Sequence, residues 1–195
     1  MQKYNAVIIG SGAAGYATAD RLLLNGVKNI AIITYDKNAG TSRNAGSDKQ
    51  TYYKLSCTDE DSPVKMAQAL SFGGGMHGDI AFIEAANSML CFNHLVEYGV
   101  PFPTDKYGRF VGYKTDHDNA RRGTSAGPLT SKYMTECLEK RVIGNKELTL
   151  LDETVVIRIV TEKGKAVGVI ALQKDGDSYK LLPIQSKYVI TATGG

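Results

Sequence analysis

Six residues near the start of the chain, Gly10-Ser11-Gly12-Ala13-Ala14-Gly15, fit the spacing GxGxxG. Set between a strand and a helix, that spacing serves the pyrophosphate of an adenine dinucleotide. Each glycine has its own task. Gly10 permits a tight turn, Gly12 clears a side chain from the path of the phosphates, and Gly15 lets the helix pack closely on the strand. The free amides at the helix start, with the positive end of its dipole, then face the phosphate charge. Without a ligand, the same residues would make only a glycine-rich βα turn. The acidic residue that usually meets the adenosine ribose should follow about 20 residues on. Thr34 holds that place, and Asp36 stands two residues further as the second candidate. A threonine hydroxyl accepts a ribose hydroxyl more weakly than a carboxylate does.

The surrounding elements suit this chemistry. Asn5-Ala-Val-Ile-Ile9 is a β-branched apolar run that reads as a buried parallel strand. Ala13 to Asn25 reads as a helix stopped by Gly26, and Ile30 to Ile33 as the next buried strand. A βαβ start of this kind predicts a parallel sheet with a right-handed crossover. Residues 34–62 read as polar and irregular, 79–98 as a helix ended by Gly99, 104–127 as loops or short hairpins, and 128–143 as a helix opened by Pro128. From Leu148 the pattern turns to strands: Leu148–Leu151, Thr154–Val160, Ala166–Leu172 and Tyr188–Thr191. The expected fold is α/β: a parallel sheet, a small antiparallel β segment of three to four strands at 148–185, and helical insertions.

Composition narrows the function classes. The 195 residues suffice for one sizeable domain that buries roughly 70% of its unfolded surface. The net charge of +3 is small and no block of like charges occurs, which argues against nucleic acid or an anionic membrane as partner. Apolar runs are too short for a membrane segment, and no secretory leader is expected. Cys57, Cys91 and Cys137 are isolated, which suggests reduced thiols and a cytoplasmic location rather than a disulfide, zinc or iron–sulfur framework. His77, His94 and His117 lack metal-ligand spacing. His117, Arg121 and Arg122 read as solvated loop residues, and Cys91 and His94 as packing or surface residues.

With these residues in view, the chain resembles the flavoprotein subunit of the succinate dehydrogenase/fumarate reductase family, which includes L-aspartate oxidase. The segments that carry the resemblance are Ala6 to Leu24, the loop Gly40-Thr-Ser-Arg-Asn-Ala-Gly-Ser47, the helix from Asp79 ending in Tyr98-Gly-Val-Pro-Phe102, and Lys165-Ala-Val-Gly-Val-Ile-Ala171 with Tyr188-Val-Ile-Thr-Ala-Thr-Gly-Gly195. The resemblance implies a Rossmann-like FAD-binding domain. FAD would contact Gly10 to Gly15, Thr34, then Thr41, Ser42, Asn44 and Gly46 of the loop under the flavin, the backbone of Val156 near adenine, and Thr193, Gly194 and Gly195. Family members in respiratory complexes attach the flavin to a histidine of that loop. Residues 37–50 contain none, so the resemblance implies noncovalent FAD.

It also implies that residues 1–195 are the N-terminal part of the FAD domain. The capping domain, the rest of the FAD domain and the family's substrate-binding and proton-donating residues would lie elsewhere, so no catalytic residue is carried over. The activity implied for the full protein is hydride transfer between FAD and a small carboxylate of the succinate or fumarate type. Aspartate oxidation, adenylylsulfate reduction and steroid dehydrogenation remain alternatives within the family. An NAD(P)-binding dehydrogenase with the same fingerprint is the rival outside it. A third reading takes the chain by itself as a binding module, in which surface meant for the cap is exposed and favours self-association.

Overall fold

The structure, a computed structural model, describes residues 1–48, 50–58 and 60–194. They form two compact units, residues 1–45 with 134–195 and residues 46–133.

The first unit is built on one six-stranded sheet. Its strands are β1 (Gln2–Ile9), β2 (Ile30–Ile33), β6 (Leu148–Leu151), β7 (Thr154–Glu162), β8 (Lys165–Asp175) and β9 (Ser178–Thr191). Their order across the sheet is β6-β2-β1-β9-β8-β7. β1 pairs in parallel with both β2 and β9, and β2 in parallel with β6, whereas β7, β8 and β9 pair antiparallel. Val7, Ile8, Ile30, Ile32 and Ile33 are all buried, as expected of parallel strands covered on both faces. Each such side chain stabilises the fold by roughly 1.5–3 kcal/mol. Val7, Ile9, Ala31, Ile33, Leu151, Val169 and Ile184 form one apolar cluster spanning the parallel and antiparallel parts.

Two strands refine the sequence reading. Leu148–Leu151 does not belong to the antiparallel segment. It extends the parallel part, residue for residue against Ile30–Ile33. The final strand is also far longer than Tyr188–Thr191. β9 uses its first half against β8 and, from Ile184 on, pairs with β1. Pro183 falls just before that point, where β9 has a single neighbour and a missing N–H costs least.

The second unit holds a three-stranded antiparallel sheet of β3 (Tyr52–Tyr53), β5 (Asp118–Thr124) and β4 (Tyr113–Thr115), in the order β3-β5-β4. It also holds helices α3 (Pro63–Ser71) and α4 (Gly78–Glu97), packed on each other through Met66, Ala67, Ala81 and Ala85. The sequence reading places α4 correctly and leaves out α3. The Ser62-Pro63 start was the available signal: Ser62 Oγ accepts from the Lys65 amide at 3.2 Å and Pro63 stands at the first helical position. Helices α1 (Ala13–Leu24), α2 (Thr41–Asn44) and α5 (Thr130–Val142) complete the chain.

Candidate nucleotide site

Strands β1, β2 and β9 end at one place. On one side of β1 the chain continues to β2 and β6, and on the other side lies β9, so the strand order reverses at β1. In an open α/β sheet the crevice beyond the carboxyl ends of the strands at such a reversal is where ligands bind. A cleft of about 380 Å³ lies there, lined by residues 10–12 and 14, 34–36, 39–42 and 192–194.

Two glycines of the motif sit where the backbone approaches closely. Gly10 has φ +112°, and a Cβ there would collide with the Ala192 carbonyl of the neighbouring strand end. A Cβ on Gly15 would collide with the Gly10 carbonyl, so α1 can lie this close to β1 only with glycine at that position. Gly12 has ordinary φ of −78° and is the N-cap of α1. A Cβ there would reach toward the cleft wall, 3.3 Å from Ser42 Oγ. Among the described residues no side chain caps α1, and no acidic residue sits in its first turn. The first-turn amides are therefore left for an acceptor supplied from outside the helix.

Beyond the glycine turn, Ser11 Oγ donates to Thr34 Oγ1 at 2.9 Å, and the Thr34 hydroxyl donates in turn to the Asp36 carbonyl at 3.3 Å. Thr34 is buried and already engaged. Asp36 is exposed, and its carboxylate accepts the Asn38 amide at 2.7 Å through one oxygen, which leaves the other for a ligand. Among the described residues it is the one charged side chain lining the cleft. A second hollow of about 360 Å³ shares Tyr35 and Asp36 with the cleft and adds Asp152, Glu153, Lys174 and Tyr179.

Loop 37–44 is braced from below. Asn44 Nδ2 donates to the carbonyls of Asn38 at 2.7 Å and Gly40 at 3.1 Å. Arg43 bonds Glu139 of α5 at 2.7 Å, and the buried Tyr16 hydroxyl of α1 donates to the same carboxylate at 3.2 Å. Burial, then the charge and hydrogen bond of Glu139, push the Tyr16 phenol up to about 12. Burial works against the charged Arg43, but its bond to Glu139 and the surrounding negative charge more than offset that and raise its pKa.

The cleft thus brings together Gly10, Ser11, Gly12, Ala14, Thr34, Thr41, Ser42, Thr193 and Gly194 of the sequence-derived set. Ala13 starts α1, Gly15 packs beneath Gly10, and Asn44 holds the loop, so these three shape the cleft without lining it. Gly46 falls in the second unit, close to Pro128 and Leu129. Val156 lies in β7 against the apolar cluster. Gly195 is outside the described residues. Tyr35, Ala39, Gly40 and Ala192 line the cleft without having been singled out. Tyr35, Gly40 and Ala192 each adjoin a named position, Thr34, Thr41 and Thr193.

The loop residues of the second unit hold a correction. His117 and Arg121 are exposed, but Arg122 is buried, not solvated. Its guanidinium makes a two-point contact with Asp61 at 2.6 and 2.9 Å and bonds Asp118 at 2.8 and 2.9 Å. Burial pushes Asp61 up, but the Arg122 bond, the amides of Ser56 and Ser62, and the Arg122 charge outweigh it and hold the carboxyl at about 2. The fully buried Lys54 lies in the same unit, its ammonium 3.7 Å from Cys57 Sγ and over the Phe92 ring. Among the described residues no group of side chains has the makings of a metal site, and no helix is long and apolar enough to cross a membrane.

The chain matches the sequence model of a family described as "FAD binding domain" over residues 5–195. Its fold is similar to that of a variant of the E. coli quinol fumarate reductase subunit FrdA (TM-score 0.83, 21% identity, 100% of this chain and 33% of that one). It is similar to Mycobacterium smegmatis Sdh1 (TM-score 0.80, 19% identity, 100% and 34%). It is also similar to 3-ketosteroid delta1-dehydrogenase from Sterolibacterium denitrificans (TM-score 0.70, 12% identity, 100% and 48%). The chain spans about a third of the length of the first two. No curated protein sequence matches it.

Proposed function

The chain belongs to the FAD binding domain family, and from that premise we propose that it is the nucleotide-holding part of a flavin-dependent oxidoreductase acting on a small carboxylate. The observation that carries the reading is the cleft at the strand reversal, with a glycine turn that excludes side chains and a helix start without a cap of its own. That arrangement fits a pyrophosphate: the α1 amides donate to it, and Gly12 gives it room. Ser11 and Thr34 fix the turn by their mutual hydrogen bond. Asp36, with its free carboxylate oxygen, accepts the ribose hydroxyls better than the engaged Thr34. The exposed rings of Tyr35 and Tyr179 in the adjoining hollow offer stacking faces to the adenine.

The opposite end of the nucleotide would meet Thr41 and Ser42, on a loop held rigid by Asn44 and Arg43. That loop has no histidine to form a covalent link, so the hold is noncovalent. FAD, when bound, supplies the two-electron chemistry at its flavin ring, while the chain sets its position and surroundings. The carboxylate substrate rests on likeness of fold to structures named as fumarate reductases, with steroid dehydrogenation as the second choice because a steroid dehydrogenase shares the fold. Unpaired cysteines accord with a cytoplasmic location.

Equilibrium dialysis of the purified chain against FAD, with NAD in parallel, tests the proposal. Saturable FAD binding without NAD binding is expected. Preference for NAD would overturn it in favour of a nicotinamide-dependent dehydrogenase.

A further inference from the structure

The first unit has a second concavity, at the amino end of β1, away from the nucleotide cleft. It measures about 590 Å³ and is lined by Lys3, Tyr4, Asn5, Asn29, residues 165–167 and residues 185–187. Three of the lining residues are lysines, Lys3, Lys165 and Lys187, and none is acidic. The register explains the grouping. Gln185 stands opposite Lys3, and Lys187 lies two residues further along β9, so both ammonium groups rise from one face of adjacent strands. Lys165 joins them from the start of β8. Like charges on neighbouring strands repel. Among the described residues none of the three lysines has an ion pair, although Glu162 stands opposite Lys165 in the β7–β8 hairpin; the Glu147 carboxylate at the rim is engaged by the Asn29 backbone amide at 3.2 Å.

The polar groups around the lysines offer both acceptors and donors. Asn5 Nδ2 donates to the Lys28 carbonyl at 2.8 Å, and Asn29 Nδ2 to the Lys3 carbonyl at 3.0 Å. Each amide therefore has its Oδ1 and one N–H left over. The Ser186 hydroxyl spends its proton on the Tyr188 carbonyl at 2.7 Å and keeps acceptor capacity. Ammonium groups call for negative charge, and spare carbonyl and hydroxyl oxygens call for hydroxyl donors. We propose that this cavity is a binding site for a small organic polyanion that also carries hydroxyl groups, separate from the nucleotide cleft. Lysines suit such a ligand as point charges that need no planar two-point geometry.

Isothermal titration of the chain with citrate and with phosphoglycerate tests this, the two probes separating a polycarboxylate from a phosphate ester as the preferred form. Saturable binding of at least one is expected. K3Q/K187Q should weaken it about tenfold or more, with the circular dichroism spectrum and FAD binding unchanged, since both lysines are exposed and neither lines the nucleotide cleft. K106Q/K114Q removes the same charge from the other unit and should leave binding intact. Tricarballylate, which is citrate without its hydroxyl, should bind more weakly than citrate. Absence of saturable binding by both probes, or equal losses in the two double variants, would overturn the proposal.

Discussion

The nucleotide cleft and the Arg122 cluster are built on opposite principles. The cleft is made of backbone: glycines placed where any Cβ would collide or intrude, strand ends that stop together, and helix amides without a cap. Its side chains are few and mostly neutral. The Arg122 cluster is made of charge: one guanidinium and two carboxylates, buried and mutually satisfied. A backbone site is specified by what is absent at a position, and it shows in a short local spacing. A charge cluster is specified by what distant residues supply, here Asp61, Asp118 and Arg122. The first is upset by an added atom, most of all at Gly10 and Gly15, and the second by a missing partner.

The largest effect is expected where a partner is removed. Arg122→Met leaves Asp61 and Asp118 facing each other without a cation and should cost about 3–5 kcal/mol in urea unfolding. Replacing all three (R122M/D61N/D118N) should recover most of that loss. A triple variant as unstable as R122M would show that the arginine acts through packing rather than charge. In the cleft, Gly10→Ala should cost roughly 2–4 kcal/mol, because φ is positive and the Ala192 carbonyl blocks the methyl group. Gly12→Ala has ordinary φ and meets only the Ser42 hydroxyl, 3.3 Å from the added Cβ, so it should cost clearly less stability than Gly10→Ala while weakening FAD binding. Equal stability losses in the two variants would erase the distinction between a turn glycine and a clearance glycine.

Acid probes the charge cluster without mutation. The Asp61 carboxyl titrates at about 2 in the folded chain against an ordinary 3.8. Between those values the unfolded chain binds the proton and the folded one does not. The contribution, roughly 2 kcal/mol, is therefore complete above about pH 4 and fades as pH falls toward 2. Urea midpoints of wild type and Asp61→Asn, followed from neutral pH downward, should converge in that window. Parallel curves would remove Asp61 from the acid response.

The same contrast sets how much was legible in the sequence. β1, the glycine turn, α1 and β2 could be read in order because a β-branched run, a fixed glycine spacing and an apolar helix face are all local. β6 and β9 were visible as strands, but their partners were not: parallel pairing with β2 and β1 is decided by register over more than a hundred residues of intervening chain. Arg122 read as a loop residue because nothing in its neighbourhood announces Asp61. Asn44 could be named from its residue type, but not its bracing of the loop, in which carbonyls of that same loop take both its donors. Thr34 occupied the expected ribose position, and only the structure shows its hydroxyl committed to Ser11 and to the Asp36 carbonyl.

Thr34 and Asp36 therefore carry the two principles side by side in one cleft, and the smallest expected effects separate them. Thr34→Val removes a buried hydroxyl and strands the Ser11 hydroxyl, so it should lower stability by about 1 kcal/mol and affect FAD only through the turn. Asp36→Asn alters an exposed side chain, so stability should hold, while loss of the charged acceptor should weaken FAD binding about tenfold, or roughly 1.4 kcal/mol. Dialysis and urea unfolding of both variants give four numbers with a fixed pattern. The reverse pattern, with FAD affinity lost in Thr34→Val at constant stability and retained in Asp36→Asn, would make the threonine the ribose acceptor. The carboxylate would then be only the anchor of the turn that begins loop 37–44.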